Sequence, residues 1–229
     1  MTGQTYSNTA QTSFEHRRSL PKSGLPVAEH AADLVARARS LRSPGDAVAL
    51  YRVWAKTYDN DVFDTLGVVG SSRIAELLAE HHGDLDAPVL DLGCGTGVIG
   101  EHLRAHGFSA LDGWDISPEM LEVAARRGSY RALREVDLTS PFHRHPDTER
   151  YAASVSAGTF TSGHVDATAV PRIGEVLAEH TVVAWVIADA MAESFRAALR
   201  EIGFEIVFDE LEAIRRDGPV ESVMLIAHR

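Results

Sequence analysis

Residues 89–100 read VLDLGCGTGVIG, an apolar run that breaks abruptly into a glycine-rich loop and resumes as an amphipathic segment. That order is the signature of a strand, a tight turn and a helix, and it constrains the chain more than any other feature. Glycines at such a turn let the backbone take left-handed conformations and approach a ligand closely. The loop matches two fingerprints. From Gly93 it reads GxGxG, and from Gly95, through Gly97 and Gly100, it reads GxGxxG. Both imply a nucleotide-like cofactor, and the loop by itself does not say which.

The pattern around the loop predicts an α/β domain. From Ala87 onward, apolar runs rich in β-branched residues alternate with segments of helical periodicity. PVLDL, SALDGWDI, YRALREVDL, YAASVSAGTF and TVVAWVIAD read as strands. VIGEHLRAHG, SPEMLEVAARRG, ATAVPRIGEVLAEH and AESFRAALREIG read as the helices between or after them, with Ser117 and Pro118 as the cap and first residue of the second. FEIVFDEL and SVMLIAHR then follow each other with only a loop between, which predicts an antiparallel pair at the end of the chain. The expected fold is a doubly wound, mostly parallel seven-stranded sheet with a C-terminal antiparallel strand.

Three helical stretches precede the sheet. PVAEHAADLVARARSL begins on a proline, AVALYRVWAKTYD follows Asp46 as its expected cap, and SSRIAELLAEHHG opens on a serine and stops at Gly83. The expected organisation is a flexible tail over 1–25, a helical cap or lid over 26–84, and the cofactor domain over 85–229.

Composition narrows the partners. The net charge of −11 disfavours a phosphate-rich partner, so no nucleic acid is expected despite the short basic run EHRRSLPK. No apolar run approaches the roughly 20 residues that span a bilayer, and the N-terminus lacks the apolar core of a secretory signal. The one cysteine, Cys94, forbids an internal disulfide and suits a reducing, cytoplasmic compartment. No metal site is expected, since His81–His82 and His143–His145 lack ligand spacing.

Both cofactor readings call for an acid about 20 residues past the loop to hold ribose hydroxyls, and Asp115 fits either. Asp91 separates them. A carboxylate immediately before the loop repels a pyrophosphate, whereas it suits the sulfonium and α-ammonium of S-adenosylmethionine, held directly or through water. The expected cosubstrate is S-adenosyl-L-methionine.

VLDLGCGTG, GWDISPEML and REVDLT together resemble the first three cofactor motifs of class I S-adenosylmethionine-dependent methyltransferases, which have a Rossmann-like fold. YRVWAKTYDNDV and VSAGTFTSGHV further resemble the methyltransferase-like family of the Williams–Beuren syndrome region protein, from about Tyr51 to Val170. The resemblance implies that Gly93, Gly95 and Gly97 line the amino-acid part of the cofactor and that Asp115 takes the ribose hydroxyls. It implies that Ile116 packs beside the adenine while Asp137 and the Leu138 backbone read its amino group. Ser156 and Ala157 would lie next to the methionine portion, with Tyr58 closing over it.

The chain also departs from that pattern. Ser162 stands where relatives tend to carry histidine, leaving His164 as the imidazole of TSGHV, and AEHTVV replaces the usual PGG turn. His164 and Tyr58 are the candidate catalytic residues, His164 because its ordinary pKa lies near neutrality; Asp189 is a weaker candidate base. SAGT at the fourth strand is not the signature of enzymes that methylate base or glutamine amines, so a small-molecule acceptor is expected. Two other readings stay open. One is an intramolecular cyclase that turns the cosubstrate into azetidine-2-carboxylate and methylthioadenosine, and the other is a catalytically silent binding subunit.

Overall fold

The computed structural model describes residues 27–141 and 150–229. The expected tail, the basic run EHRRSLPK and His143–His145 lie outside the described residues.

A seven-stranded sheet carries the fold: β1 (Val89–Leu92), β2 (Leu111–Asp115), β3 (Ala132–Glu135), β4 (Tyr151–Phe160), β5 (Leu177–Ala188), β6 (Glu205–Glu212) and β7 (Ser222–His228). Their spatial order is β3-β2-β1-β4-β5-β7-β6. Pairing is parallel from β3 to β5, and β7 runs antiparallel to both β5 and β6. The chain reverses its direction of travel across the sheet between β1 and β4. Ligand crevices of doubly wound sheets form at such a point, outside the carboxyl ends of the strands.

Strand alternation decides which residues reach which layer. Leu90 and Leu92 join one core with Trp185, Ile173, Phe195 and Leu199. Trp185 belongs to β5, Ile173 to α6 (Val170–Val176), and Phe195 and Leu199 to α7 (Asp189–Glu201). Val89 joins the opposite core with Ile74, Leu78, Ile99 and Leu103, from α3 (Gly70–His81) and α4 (Val98–Ala105). With a period of two, Asp91 must point the same way as Val89, toward α4.

The cap is smaller than the helical stretches predict. A third cluster gathers Leu34, Ala38, Leu50, Trp54 and Val62 from α1 (Val27–Ala38), α2 (Pro44–Trp54) and a π-helical turn at Asn60–Thr65. The third helical stretch belongs instead to the sheet, because α3 buries Ile74, Leu77 and Leu78 against it.

Three local expectations are corrected. Ser43, not Asp46, caps α2: its side chain accepts the Asp46 backbone N–H, and Pro44 occupies the first turn. No serine caps α3; Val69 precedes it, and the Ser72 hydroxyl donates back to the Val69 carbonyl. The helix expected to reach His180 ends at Val176, where Leu177 pairs with Tyr151 and the chain joins the sheet. Ladder pairing outweighs helix propensity there. The Ser117–Pro118 cap of α5 (Pro118–Arg127) is present.

Candidate active site

The carboxyl ends of β1, β2 and β4 open into a cleft of about 370 Å³ that the cap covers. Its floor is made of backbone. Past Leu92 the chain turns through Gly93 and Gly95, both with positive φ. A Cβ on Gly93 would stand 2.0 Å from the Thr159 hydroxyl, which donates to the Leu92 carbonyl. A Cβ on Gly95 would meet no atom within 4 Å. Gly93 is therefore forced by packing, whereas Gly95 faces the open cleft that it lines.

Asp115 ends β2 and ties the floor together. Its Oδ2 accepts the Gly95 N–H at 2.8 Å and its Oδ1 accepts the Ser117 N–H at 2.8 Å. Burial pushes its pKa up, against the pull of the backbone N–H groups of Ser117, Gly95 and Ile116. Ile116, Asp137, Leu138 and Ala157 line the same cleft. Asp137 is also partly buried, yet hydrogen bonds from Thr139 and Ser140 outweigh that burial and lower its pKa.

Three expected cofactor residues do not line the cleft. Asp91 is buried beneath the loop, where its Oδ2 accepts the Tyr130 hydroxyl at 2.7 Å; burial raises its pKa to about 7. Strand alternation turned it away from the ligand side, so its expected direct hold on the cofactor is corrected. Gly97 heads α4 and packs against Ala124 and Tyr130. Ser156 is wholly buried and donates to the Leu92 carbonyl at 2.8 Å. Both support the loop from behind.

The roof is made of side chains. Tyr58 lines the cleft within an aromatic cluster, 4.8 Å from Trp54 and 6.2 Å from Tyr51 and from Phe63 between ring centroids. Burial, then Asp115 and Asp59, push its hydroxyl pKa well up. Trp54 donates from Nε1 to buried Asp61 at 3.0 Å. His164, in the loop after β4, lines the cleft as well, and its Nε2 lies 2.6 Å from the Tyr51 hydroxyl. Burial lowers its pKa. Gly163 beside it approaches the backbone after α1 so closely that a Cβ would meet Leu41 N at 2.9 Å. Asp189 is exposed in the first turn of α7, outside the cleft.

Sequence reasoning gave Tyr51 no catalytic role and missed the clasp between cap and loop. Tyr51, Trp54 and Tyr58 recur at helical spacing, which signals one shared face but not its partner 113 residues away. In the clasp, Asp59 accepts the Thr96 hydroxyl at 2.5 Å and pairs with Arg127, which also pairs with Glu101 and donates to the Thr96 carbonyl. No group of three or more His, Cys, Asp or Glu side chains that could hold a metal ion occurs among the described residues. Nor is any described helix long and apolar enough to cross a membrane.

Part of the chain is similar to known methyltransferases. Residues 89–180 match the family model of a methyltransferase domain. The chain is 34% identical to human methyltransferase-like protein 27 over 124 residues, 54% of this chain and 50% of that protein. It is 31% identical to mouse EEF1A lysine methyltransferase 2 over 134 residues, 56% of this chain and 54% of that one. It is 40% identical to trans-aconitate 2-methyltransferase of Mycobacterium sp. (strain KMS) over 75 residues, 32% and 28% of the two chains. The chain thus spans about half the length or less of these relatives. Among solved structures, a TehB-like SAM-dependent methyltransferase from Corynebacterium glutamicum superposes with a TM-score of 0.58 at 19% identity, covering 78% of this chain and 97% of that one.

Proposed function

We propose that this chain, which carries a class I S-adenosylmethionine-dependent methyltransferase domain, transfers a methyl group to a small-molecule acceptor bound between the sheet and the cap. The observation that carries the proposal is the covered cleft, which puts Gly95 and Asp115 on one side of a single cavity and Tyr51 and His164 on the other. Cover by α2 and by residues 41–43 just before it favours a small acceptor over a protein side chain, although relatives include enzymes named for each kind of substrate.

The residues present fit S-adenosylmethionine. Gly95 leaves open space where a side chain would stand, and Asp115 is held by two backbone N–H groups with lone pairs to spare for ribose hydroxyls. Asp137 and Leu138 line the same cleft and suit the adenine, while Ile116 offers it an apolar face. Bound there, the cosubstrate supplies an activated methyl on a sulfonium. The protein then needs mainly to position the acceptor in line, exclude water and receive a proton. Tyr58 and the cap exclude water, and His164, kept neutral by burial, belongs to the proton-receiving group.

Calorimetry with S-adenosylmethionine tests the cofactor assignment. Asp115→Ala should weaken binding about 10- to 100-fold, since each hydrogen bond to a charged group is worth about 1.5–3 kcal/mol; unchanged affinity would refute the assignment. Incubation with S-adenosylmethionine alone, followed by mass spectrometry, tests the reaction. Methylthioadenosine with a ring amino acid would replace methyl transfer by the cyclase reading.

A further inference from the structure

Resting on the reading above, we propose that Tyr51 is the catalytic residue that takes the acceptor's proton, with His164 as the second station of a relay. The acceptor accordingly carries a removable proton on oxygen or nitrogen, as an alcohol, a phenol or an amine does. The argument begins with the lone pairs of one imidazole. His164 Nδ1 lies 3.3 Å from the Ser162 carbonyl oxygen, which can only accept, so Nδ1 carries the hydrogen. Nε2 then holds the ring's one available lone pair, and the Tyr51 hydroxyl donates into it at 2.6 Å. An acceptor cannot deliver a proton to Nε2 without displacing that hydroxyl.

The Tyr51 oxygen has what His164 lacks. While donating its hydrogen it keeps its own lone pairs, and Tyr51 lines the cleft. The hydroxyl has no second hydrogen-bond partner among the described residues. Its ring is fixed by Trp54, stacked at 6.0 Å and 3° from parallel, and by Tyr58 edge-on at 6.2 Å. Burial, then Tyr58 and Asp115, hold the Tyr51 pKa well above its ordinary value, so no phenolate stands waiting and its proton must leave as another arrives.

The transfer balances as follows. The acceptor's X–H bond breaks and its proton goes to the Tyr51 oxygen, while the Tyr51 proton passes to His164 Nε2. The electron pair freed on X forms the new bond to the methyl carbon as the carbon–sulfur bond breaks and leaves its pair on sulfur. The imidazolium later returns its proton to water. A carboxylate acceptor is already ionised at neutral pH and would not need this pair.

Two measurements on the full chain test the relay. The first uses ¹⁵N-histidine NMR, with His164→Asn identifying the signal. Wild type should show the Nδ1–H tautomer and a pKa below the ordinary histidine value. Tyr51→Phe should raise that pKa, because it removes the donor that stabilises neutral Nε2. An Nε2–H tautomer or an unmoved pKa overturns the proposal. Tyr58 and Asp115 face Tyr51, while the Ser162 carbonyl faces the imidazole, and all are unchanged in this variant.

The second measurement follows S-adenosylhomocysteine release with a panel of small alcohols, phenols and amines, set against small carboxylates. Tyr51→Phe should slow turnover of a reactive alcohol, phenol or amine by about 100-fold or more. Affinity for S-adenosylhomocysteine should stay within about twofold of wild type by calorimetry, since the relay leaves cofactor binding alone. The double variant with His164→Asn should be no slower than either single one, because the two groups act in series. Turnover that survives in Tyr51→Phe but not in His164→Asn overturns the relay in favour of direct transfer to histidine. Reaction of carboxylates alone, or of no panel member carrying a removable proton, also overturns it. Failure to bind S-adenosylhomocysteine instead sinks the cofactor reading, and the NMR result then judges the pair by itself.

Discussion

The floor and the roof of the cleft are built by different means. The floor is largely backbone: Gly93 and Gly95 turn out of β1, and Asp115, 20 residues past Gly95, accepts the Gly95 N–H and the Ser117 N–H and so ties the turn to the end of β2. The roof is side chains, with Tyr51, Trp54, Tyr58 and Phe63 packed together and joined to His164, 113 residues from Tyr51. The floor's geometry follows from a strand, a turn and its two neighbour strands, with Asp115 of β2 and Ser156 and Thr159 of β4 holding it in place. The roof exists only when two separate parts of the chain meet, and it can vary while the floor stays constant. On the function proposed above, cofactor chemistry belongs to the floor and acceptor choice to the roof.

Breaking the roof should give the largest effect. Trp54→Ala removes the indole at the centre of the cap cluster and leaves buried Asp61 without its Nε1 donor. Such truncations cost about 3–5 kcal/mol. Hydrogen exchange should rise across residues 27–69 while β1, β4 and β5 stay protected. If the strands lose protection in the same step, roof and floor are one cooperative unit and the distinction fails.

Gly93→Ala attacks the floor. The added methyl would overlap the Thr159 hydroxyl, and the residue has φ of 67°. The strain should lower stability by about 2–4 kcal/mol in urea unfolding. Gly95→Ala should cost only about 1–2 kcal/mol for its left-handed backbone, yet abolish measurable cofactor binding because its methyl enters the cleft. Equal effects on stability and binding in the two variants would mean that the glycines are not divided into a packing one and a ligand-facing one.

A finer test is the acid behind the floor. Burial holds the Asp91 carboxyl near pKa 7, above its ordinary 3.8, so the folded state keeps a proton that the unfolded chain releases. The sign follows: this contribution to stability is full below about pH 4, declines as pH rises toward about 7, and is absent above it. Asp91→Asn should remove that decline, so the wild-type-minus-variant difference in unfolding free energy shrinks across the window. A flat difference would show that Asp91 is ionised in the folded state throughout.

The smallest effect is expected where roof meets floor. Asp59 and Arg127 are partly exposed, and such ion pairs contribute about 0.2–1 kcal/mol. Asp59→Asn should leave global unfolding within about 1 kcal/mol of wild type, yet raise exchange over the π-helical turn, most visibly at low salt. No local change would show that the aromatic cluster holds the cap down without the clasp.

Much of the floor was legible in advance because its signals are local. Glycine spacing, an acid at the end of the next strand and a Ser–Pro helix start act over a few residues, where backbone geometry leaves few alternatives. Asp91 shows where that ends. Its charge distinguished two cofactors on paper, but strand alternation turned it away from the ligand, into the layer that holds Tyr130. The ends of α3 and α6 were also misjudged, since Val69 bonds to Ile214 and Leu177 to β4, partners far along the chain.

The sequence by itself determined the alternation of strands and helices, the final antiparallel pair, the glycine turn and the acid that answers it. Each depends on periodicity or on short-range backbone sterics. Only the tertiary structure decided that α3 joins the sheet and that α2 and the segment before it cover the cleft. It alone set Tyr51 against His164. The physical reason is one of distance: hydrophobic burial has no direction and does not specify which apolar faces meet, so a hydrogen bond between residues 51 and 164 is settled only once the cap has packed.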